Sequence, residues 1–227
     1  MIQTGQPQLQ AKNFGMIISP HNYIYNYLVK IHYMTKKEKI NDLFKWDSDC
    51  HNNACINQYH QPWNDYVRGY RAATEILIEK ILSDNTSIDI LVYPVIFLYR
   101  HCLELQMKEI IFVGRHLIGK DFEPLNDHNL TALWKKLKPL IIEIEPTYPK
   151  NELDKIDSVI TNFELVDKKS DEFRYSLTKK SERTLKPELK YINIRHFAEE
   201  MEPVLSTLEC ISGWFSTLQE NQTVLNF

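Results

Sequence analysis

The stretch from Ser87 to Gly119, SIDILVYPVIFLYRHCLELQMKEIIFVGRHLIG, constrains the fold of this chain more than any other. Wound into a helix, it shows apolar side chains on almost every face, and such a helix must be enclosed by other elements. A polar line nevertheless runs through its middle. Arg100, Glu104 and Lys108 are spaced i, i+4, i+8 and stack along one face, with His101 beside them. Buried charges must be paired and hydrogen-bonded, because a stranded one costs several kcal/mol. The remainder of the chain therefore has to wrap this helix and supply partners for that line.

The rest of the sequence is helical in character. Only 6 of the 227 residues are Gly, and apolar periods are long. From Pro62 to Ser83, the residues Trp63, Tyr66, Val67, Tyr70, Ala73, Leu77 and Ile81 recur with a period near 3.6, with Pro62 suited to a first turn. A third stripe is formed by Leu130, Leu133, Trp134, Leu137, Ile141 and Ile144, and is ended by Pro146 and Pro149. The next helix, with Asn151 as its expected cap, carries Leu153, Ile156, Ile160 and Phe163. A last helix starts at Asn193 and carries Ile194, Phe197, Met201, Leu205, Leu208, Ile211, Phe215 and Leu218. The expected class is mostly α: a helical bundle over residues 61–220, a tail at 221–227, and an irregular N-terminal extension over 1–60. Within that extension the Ile- and Tyr-rich run from Phe14 to Met34 suits strands or a strand and a short helix.

Charge is distributed unevenly. The chain carries −3 overall, whereas Lys168 to Arg195 holds nine basic and four acidic residues, +5, which leaves −8 for the remainder. This polar connection is too long to be a simple helix–helix turn; loops of that length are usually functional or disordered, and most Lys-rich loops are merely solvated. Phe173, Tyr175 and Tyr191 are interleaved with its cations, the combination a single-stranded RNA surface uses: charge for phosphates and rings for stacking. Ser176–Thr178 and Lys190–Ile192 are the segments expected to pair as a short hairpin.

Several classes find no support. There is no phosphate-binding Gly loop, G-x-S-x-G elbow or dinucleotide fingerprint, so no cofactor is expected. Cys50-His51-x3-Cys55-x4-His60 lacks a strong zinc spacing and a second Cys pair, so no metal is expected. The most apolar window, Ile88 to Leu98, falls short of the ~20 residues that span a bilayer, and Arg100 interrupts it. The N-terminus lacks the charged start and apolar run of a signal peptide, so the chain reads as cytoplasmic and not membrane-bound.

Three segments in order carry a resemblance: Arg100-His101-x-x-Glu104-Leu105-x-x-Lys108, then His128-x-Leu130-x-x-Leu133-Trp134, then Phe173-Arg174-Tyr175 with its basic tail. Together they resemble HEPN-like helical proteins of bacteria, over roughly residues 62–218. The resemblance implies a helical bundle that often forms homodimers. It also implies a toxin–antitoxin or anti-phage setting, in which some members are metal-independent ribonucleases with an R-x4–6-H motif. None of Arg68, Arg71, Arg100, Arg115, Arg174, Arg183 and Arg195 has a His five to seven residues downstream; Arg100–His101, Arg115–His116 and Arg195–His196 are adjacent pairs instead. A relative without the motif is expected to bind RNA, nucleotide or a protein partner rather than to cut RNA.

Two readings of the polar line remain open. As a site, a permanently charged Arg100, a titratable His101 and the Glu104 carboxylate bind phosphate or move protons, making these three the catalytic candidates of an atypical ribonuclease. As a scaffold, they form a buried ladder that orders helix docking in a non-catalytic assembly protein. The candidate binding residues are Lys108, His128, Arg174, Tyr175, Lys179, Lys180, Arg183, Arg195 and His196. Arg174 is expected to reach back to Glu104. Arg195 and His196 open the last helix, facing either an anion or Glu199 and Glu200 one turn on.

Overall fold

A computed structural model describes residues 44, 46–56, 62–84, 87–121 and 123–225; the strand expectation for Phe14 to Met34 falls outside them. The chain divides into two compact units, Met1–His60 and Gln61–Phe227. In the first, the described part is a one-turn 3-10 helix, Cys50–Asn52, with the Asn53 side-chain amide donating to the Asp47 carbonyl oxygen.

The second unit is built from five helices: α1 (Pro62–Asp84), α2 (Ile88–Leu117), α3 (Leu130–Ile144), α4 (Lys150–Val166) and α5 (Ile194–Leu225). Helix α2 packs against α1, α3 and α5, and α4 bridges α3 and α5. The all-round apolar character of α2 has its physical answer here: Val95, Ile96, Tyr99, Cys102, Leu103, Met107, Ile110 and Ile111 are all buried. Its first turns are the exception. Ile90 and Tyr93 are exposed, so enclosure begins only at Val95. Gly114 marks the tightest crossing, where an added Cβ would lie 2.7 Å from both Leu140 Cδ2 and Phe215 Cε2. Only a hydrogen at that position lets α2 approach α3 and α5 so closely.

The apolar stripes of α3, α4 and α5 face inward as their period requires. On α1 the stripe is shifted by a fraction of a turn. Tyr66 points outward at 59 % exposure, and Thr74 is buried in its place, its hydroxyl donating to the Tyr70 carbonyl oxygen at 2.7 Å. A buried threonine is tolerable there because its one donor is satisfied within the helix. Asn129 caps α3, its side-chain oxygen accepting from Ala132 N at 2.8 Å. Helix α4 starts at Lys150 after Pro149 and has no side-chain cap, so Asn151 lies inside the first turn rather than before it. Helix α5 continues past Leu218 to Leu225, into the stretch expected as a tail, since no Gly or Pro follows Gly213 to stop it.

Among the described residues there is no β-strand, only an isolated antiparallel bridge between Leu177 and Arg183. No described helix is long and apolar enough to cross a membrane.

Candidate functional site

The polar line of α2 is sealed in the core. Arg100 has no exposed surface, Glu104 has 2 % and Lys108 has 5 %. Glu104 is the hub. Its Oε1 accepts from Lys108 Nζ and from His128 Nδ1, each at 2.8 Å, and its Oε2 faces Arg100 Nη1 at 3.4 Å. Because a carboxylate only accepts, His128 must carry its proton on Nδ1. Burial opposes the charged form of Glu104, but the hydrogen bonds from Lys108 and His128 and their charges outweigh it and hold its carboxyl below the usual range.

Arg100 spends its remaining donors on backbone. Nε donates to the Asp167 carbonyl oxygen at 3.1 Å, and Nη2 to the His128 carbonyl oxygen at 2.8 Å and, more weakly, to that of Lys168 at 3.5 Å. These carbonyls belong to the loop entering α3 and the loop leaving α4. One guanidinium thus ties two loops to the central helix, and the Asp167 carboxylate, 3.5 Å from Nε, adds a second ion pair. An acid just beyond the C-terminus of α4 is disfavoured by the helix dipole, and the buried Arg100 offsets it. Asn129 and Glu164 brace the same junction: Asn129 Nδ2 donates to Glu164 Oε2 at 3.0 Å and to the Lys168 carbonyl oxygen at 3.3 Å.

A pair of carboxyls sits where this junction opens into the basic segment. The Glu172 backbone N–H donates to Asp167 Oδ1 at 3.2 Å, which brings the two acids together. Burial, followed by the hydrogen bond and the negative charge of Asp167, pushes the Glu172 carboxyl up to about 7.

His101 does not join the charge network. Its ring meets Tyr70 edge-on, with centroids 4.6 Å apart, and stacks parallel to Phe97 at 5.7 Å. Burial lowers its pKa, with the nearby Glu104 charge opposing the shift and Lys108 and Arg100 adding to it. Arg174 does not reach Glu104, whose oxygens are occupied by Arg100, Lys108 and His128. Its guanidinium lies instead over Phe97, 5.9 Å from the centroid, and over Tyr175, at 5.0 Å. The R-H-x-x-E-L helix and the F-R-Y segment do meet, through an aromatic face rather than through an ion pair.

The basic segment folds back on itself at Thr178–Ser181. Thr178 N donates to the Glu182 carbonyl oxygen at 2.8 Å, Ser181 N to that of Thr178 at 2.9 Å, and the Thr178 hydroxyl oxygen accepts from Lys180 N. Leu177 is thereby paired with Arg183, so the expected pairing of Ser176–Thr178 with Lys190–Ile192 is corrected: a local turn closes far sooner than the longer loop would. The segment is anchored by buried Phe173 and by the Thr184 hydroxyl, which donates to the Glu172 carbonyl oxygen at 3.1 Å. Lys168 pairs with Glu164 and Lys186 donates to the Leu165 carbonyl oxygen. Lys179, Lys180, Arg183, Lys190 and Arg195, by contrast, have no carboxylate partner among the described residues. Tyr175 is half exposed and Tyr191 is 92 % exposed beside them.

Arg195 and His196 open α5 on the surface, without the expected pairing to Glu199 and Glu200; Asn193 caps this end by accepting from His196 N at 3.0 Å. Cys50, His51 and Cys55 are exposed, His60 lies outside the described residues, and no group able to hold a metal occurs among those described.

Sequence reasoning missed Asp167 and Glu164, and assigned no role to Glu172 or Asn129. An acid directly after an apolar helical stripe, as at Asp167, was the available signal. It also missed a second polar cluster, in which Arg71 on α1 reaches Glu202, Ser206 and Glu209 on α5, with the Tyr99 hydroxyl donating to Glu202 at 2.8 Å. Comparison with family models, curated proteins and solved structures returns no match to the chain.

Proposed function

We propose that this chain is a HEPN-like protein that binds RNA through the basic segment between α4 and α5, without the standard nuclease chemistry of that group. The observation that carries the reading is the set of exposed cations without carboxylate partners, Lys179, Lys180, Arg183, Lys190 and Arg195, interleaved with the accessible rings of Tyr175 and Tyr191. Unpaired cations attract phosphate by releasing counterions, and exposed rings give bases a stacking face at little conformational cost. The ribonuclease alternative loses its support from geometry: Arg100 is unreachable by solvent, and His101 is wedged between Tyr70 and Phe97. Arg100, Glu104 and Lys108 are positioning residues that fix the base of the basic segment. The short R-H, H-x-L-x-x-L-W and F-R-Y segments support a place in a bacterial defence or toxin–antitoxin system and a homodimeric assembly.

The test is titration of a labelled single-stranded RNA at several salt concentrations. Binding weakens steeply with salt, and Lys179→Ala/Lys180→Ala/Arg183→Ala reduces both the affinity and the slope, by about one unit of slope for each phosphate that a removed cation had neutralised. Affinity indifferent to salt and to these substitutions refutes the reading.

A further inference from the structure

Two concavities among the described residues of the bundle are large enough to hold a small ligand. One, of about 690 Å³ between α3 and α4, is lined by Trp134, Pro139, Ile142 and Ile160, and the Trp134 indole N–H and Lys138 on its wall both engage Asp157. The other, of about 490 Å³, lies between α4, the N-terminal half of α5 and the end of the basic segment. Its floor is aromatic, made by Phe163, Phe173 and Phe197, with Phe163 and Phe197 edge-to-face at 6.1 Å. Its rim carries Asn162, His196 and Glu200. Asn162 Nδ2 donates to the Ser158 carbonyl oxygen of its own helix, which leaves its Oδ1 open. The His196 ring and the Glu200 carboxylate have no side-chain partner among the described residues. An apolar pocket with a few convergent and unspent polar groups is the common form of a small-ligand site.

The immediate surroundings narrow the ligand. Tyr191, which lines the mouth, is 92 % exposed, and a ring this size standing free in water gains area by covering a planar partner. Lys190 precedes it and Arg195 follows, both exposed and without a carboxylate partner. Lys190 and Arg195 stand next in sequence to the lining residues Tyr191 and His196, the rim offers acceptors at Glu200 and Asn162, and the apolar lining includes three phenylalanines. A planar heterocycle with N–H donors, attached to a phosphate, matches all three.

We infer that this pocket receives one unstacked nucleobase of a single-stranded RNA, with the adjoining phosphates on Lys190 and Arg195 and the Glu200 carboxylate accepting from the base. The inference rests on the RNA-binding reading and adds to it a base-reading position some way along the segment from the Lys179–Arg183 turn. Base recognition of this kind gives the protein a preference for single strands over duplex, since a paired base cannot enter.

The test compares a short single-stranded RNA with the same strand carrying one central abasic site and with the matched duplex, using the full chain. The intact strand binds about tenfold or more tighter than the abasic one, as expected when one base no longer stacks on an aromatic ring. That ratio collapses towards one in Tyr191→Ala and in Asn162→Trp, which closes the mouth; both positions are exposed, so neither change threatens folding. Intact and abasic strands binding equally, with salt-dependent affinity retained, overturns the pocket and leaves the RNA reading standing. Neither strand binding overturns both. Displacement of the strand by a free nucleoside monophosphate at equal concentration overturns RNA as the source of the base.

Discussion

Replacing Glu104 is the perturbation that bears most directly on the architecture. Its carboxylate, 2 % exposed, faces three partners, Lys108 Nζ, His128 Nδ1–H and Arg100 Nη1, all of which are donors. Glutamine is therefore no conservative substitute, because whichever way its amide turns, the NH2 meets a donor. Alanine goes further: it strands the buried Lys108 and leaves Arg100 with Asp167 as its one carboxylate partner. Breaking a buried pair by removing one partner costs about 3–5 kcal/mol. For a domain of this size, each kcal/mol lowers Tm by about 2–4 °C, so a loss of roughly 6–20 °C is expected in Glu104→Ala. Thermal melts followed by circular dichroism, with urea titrations at constant m to establish two-state behaviour, measure it. His128→Ala is the control, since the His128 side chain is 69 % exposed and its bond to Glu104 contributes within about 1 kcal/mol. Replacing Arg100, Glu104 and Lys108 together by Met removes the three charges of the ladder and restores part of the stability. Recovery stays incomplete because the buried Asp167 carboxylate loses its cation and the His128 and Asp167 carbonyl oxygens lose their donor. A Glu104→Ala melt within about 2 °C of wild type would refute the sealed network.

Other outcomes follow from single interactions. Gly114→Ala destabilises by about 1–3 kcal/mol in urea unfolding, because its methyl group meets Leu140 and Phe215 at 2.7 Å. Glu172 is held up to about 7 against an ordinary 4.5, so the folded chain binds this proton more tightly than the unfolded one. The associated stability is present below about 4.5 and is lost as pH rises through 7. Glu172→Gln accordingly raises stability at pH 8, by about 1 kcal/mol after allowance for solvent screening at a half-buried site, and leaves it unchanged at pH 4. Equal melting of the two proteins at pH 8 contradicts this. Arg71→Ala unties α1 from Glu202 and Glu209 on α5 and lowers stability by about 1–3 kcal/mol, and calorimetry reads the loss.

The helices were legible in the sequence because their apolar stripes are long and are punctuated by Pro62, Pro146, Pro149 and Asn193. Periodicity reports which face is buried, and on α1 it failed where a polar residue is buried by satisfying itself. Thr74 is that case: nothing in its side-chain type announces a hydroxyl turned back onto Tyr70. The partners of Arg100 were illegible for a different reason. Sequence spacing shows Glu104 one turn away, but the atoms that satisfy most of the guanidinium are carbonyl oxygens of Asp167, Lys168 and His128, and every residue has a carbonyl. Arg174 was misplaced by the same habit of matching opposite charges. With Glu104 already saturated, Arg174 lies over aromatic faces instead, and Phe97 and Tyr175 provide two.

The two electrostatic features of the chain, a buried ladder and an exposed basic segment, belong to one arrangement. A segment that crowds cations repels itself and resists compaction, so it needs a fixed base to present them together. Arg100 supplies that base at Asp167 and Lys168, the residues from which the segment departs, and buried Phe173 and the Thr184 hydroxyl hold it a few residues on. Two of the acids near this base, Glu164 and Asp167, are consumed by Lys168 and Arg100, so neither is free to pair with the cations further out.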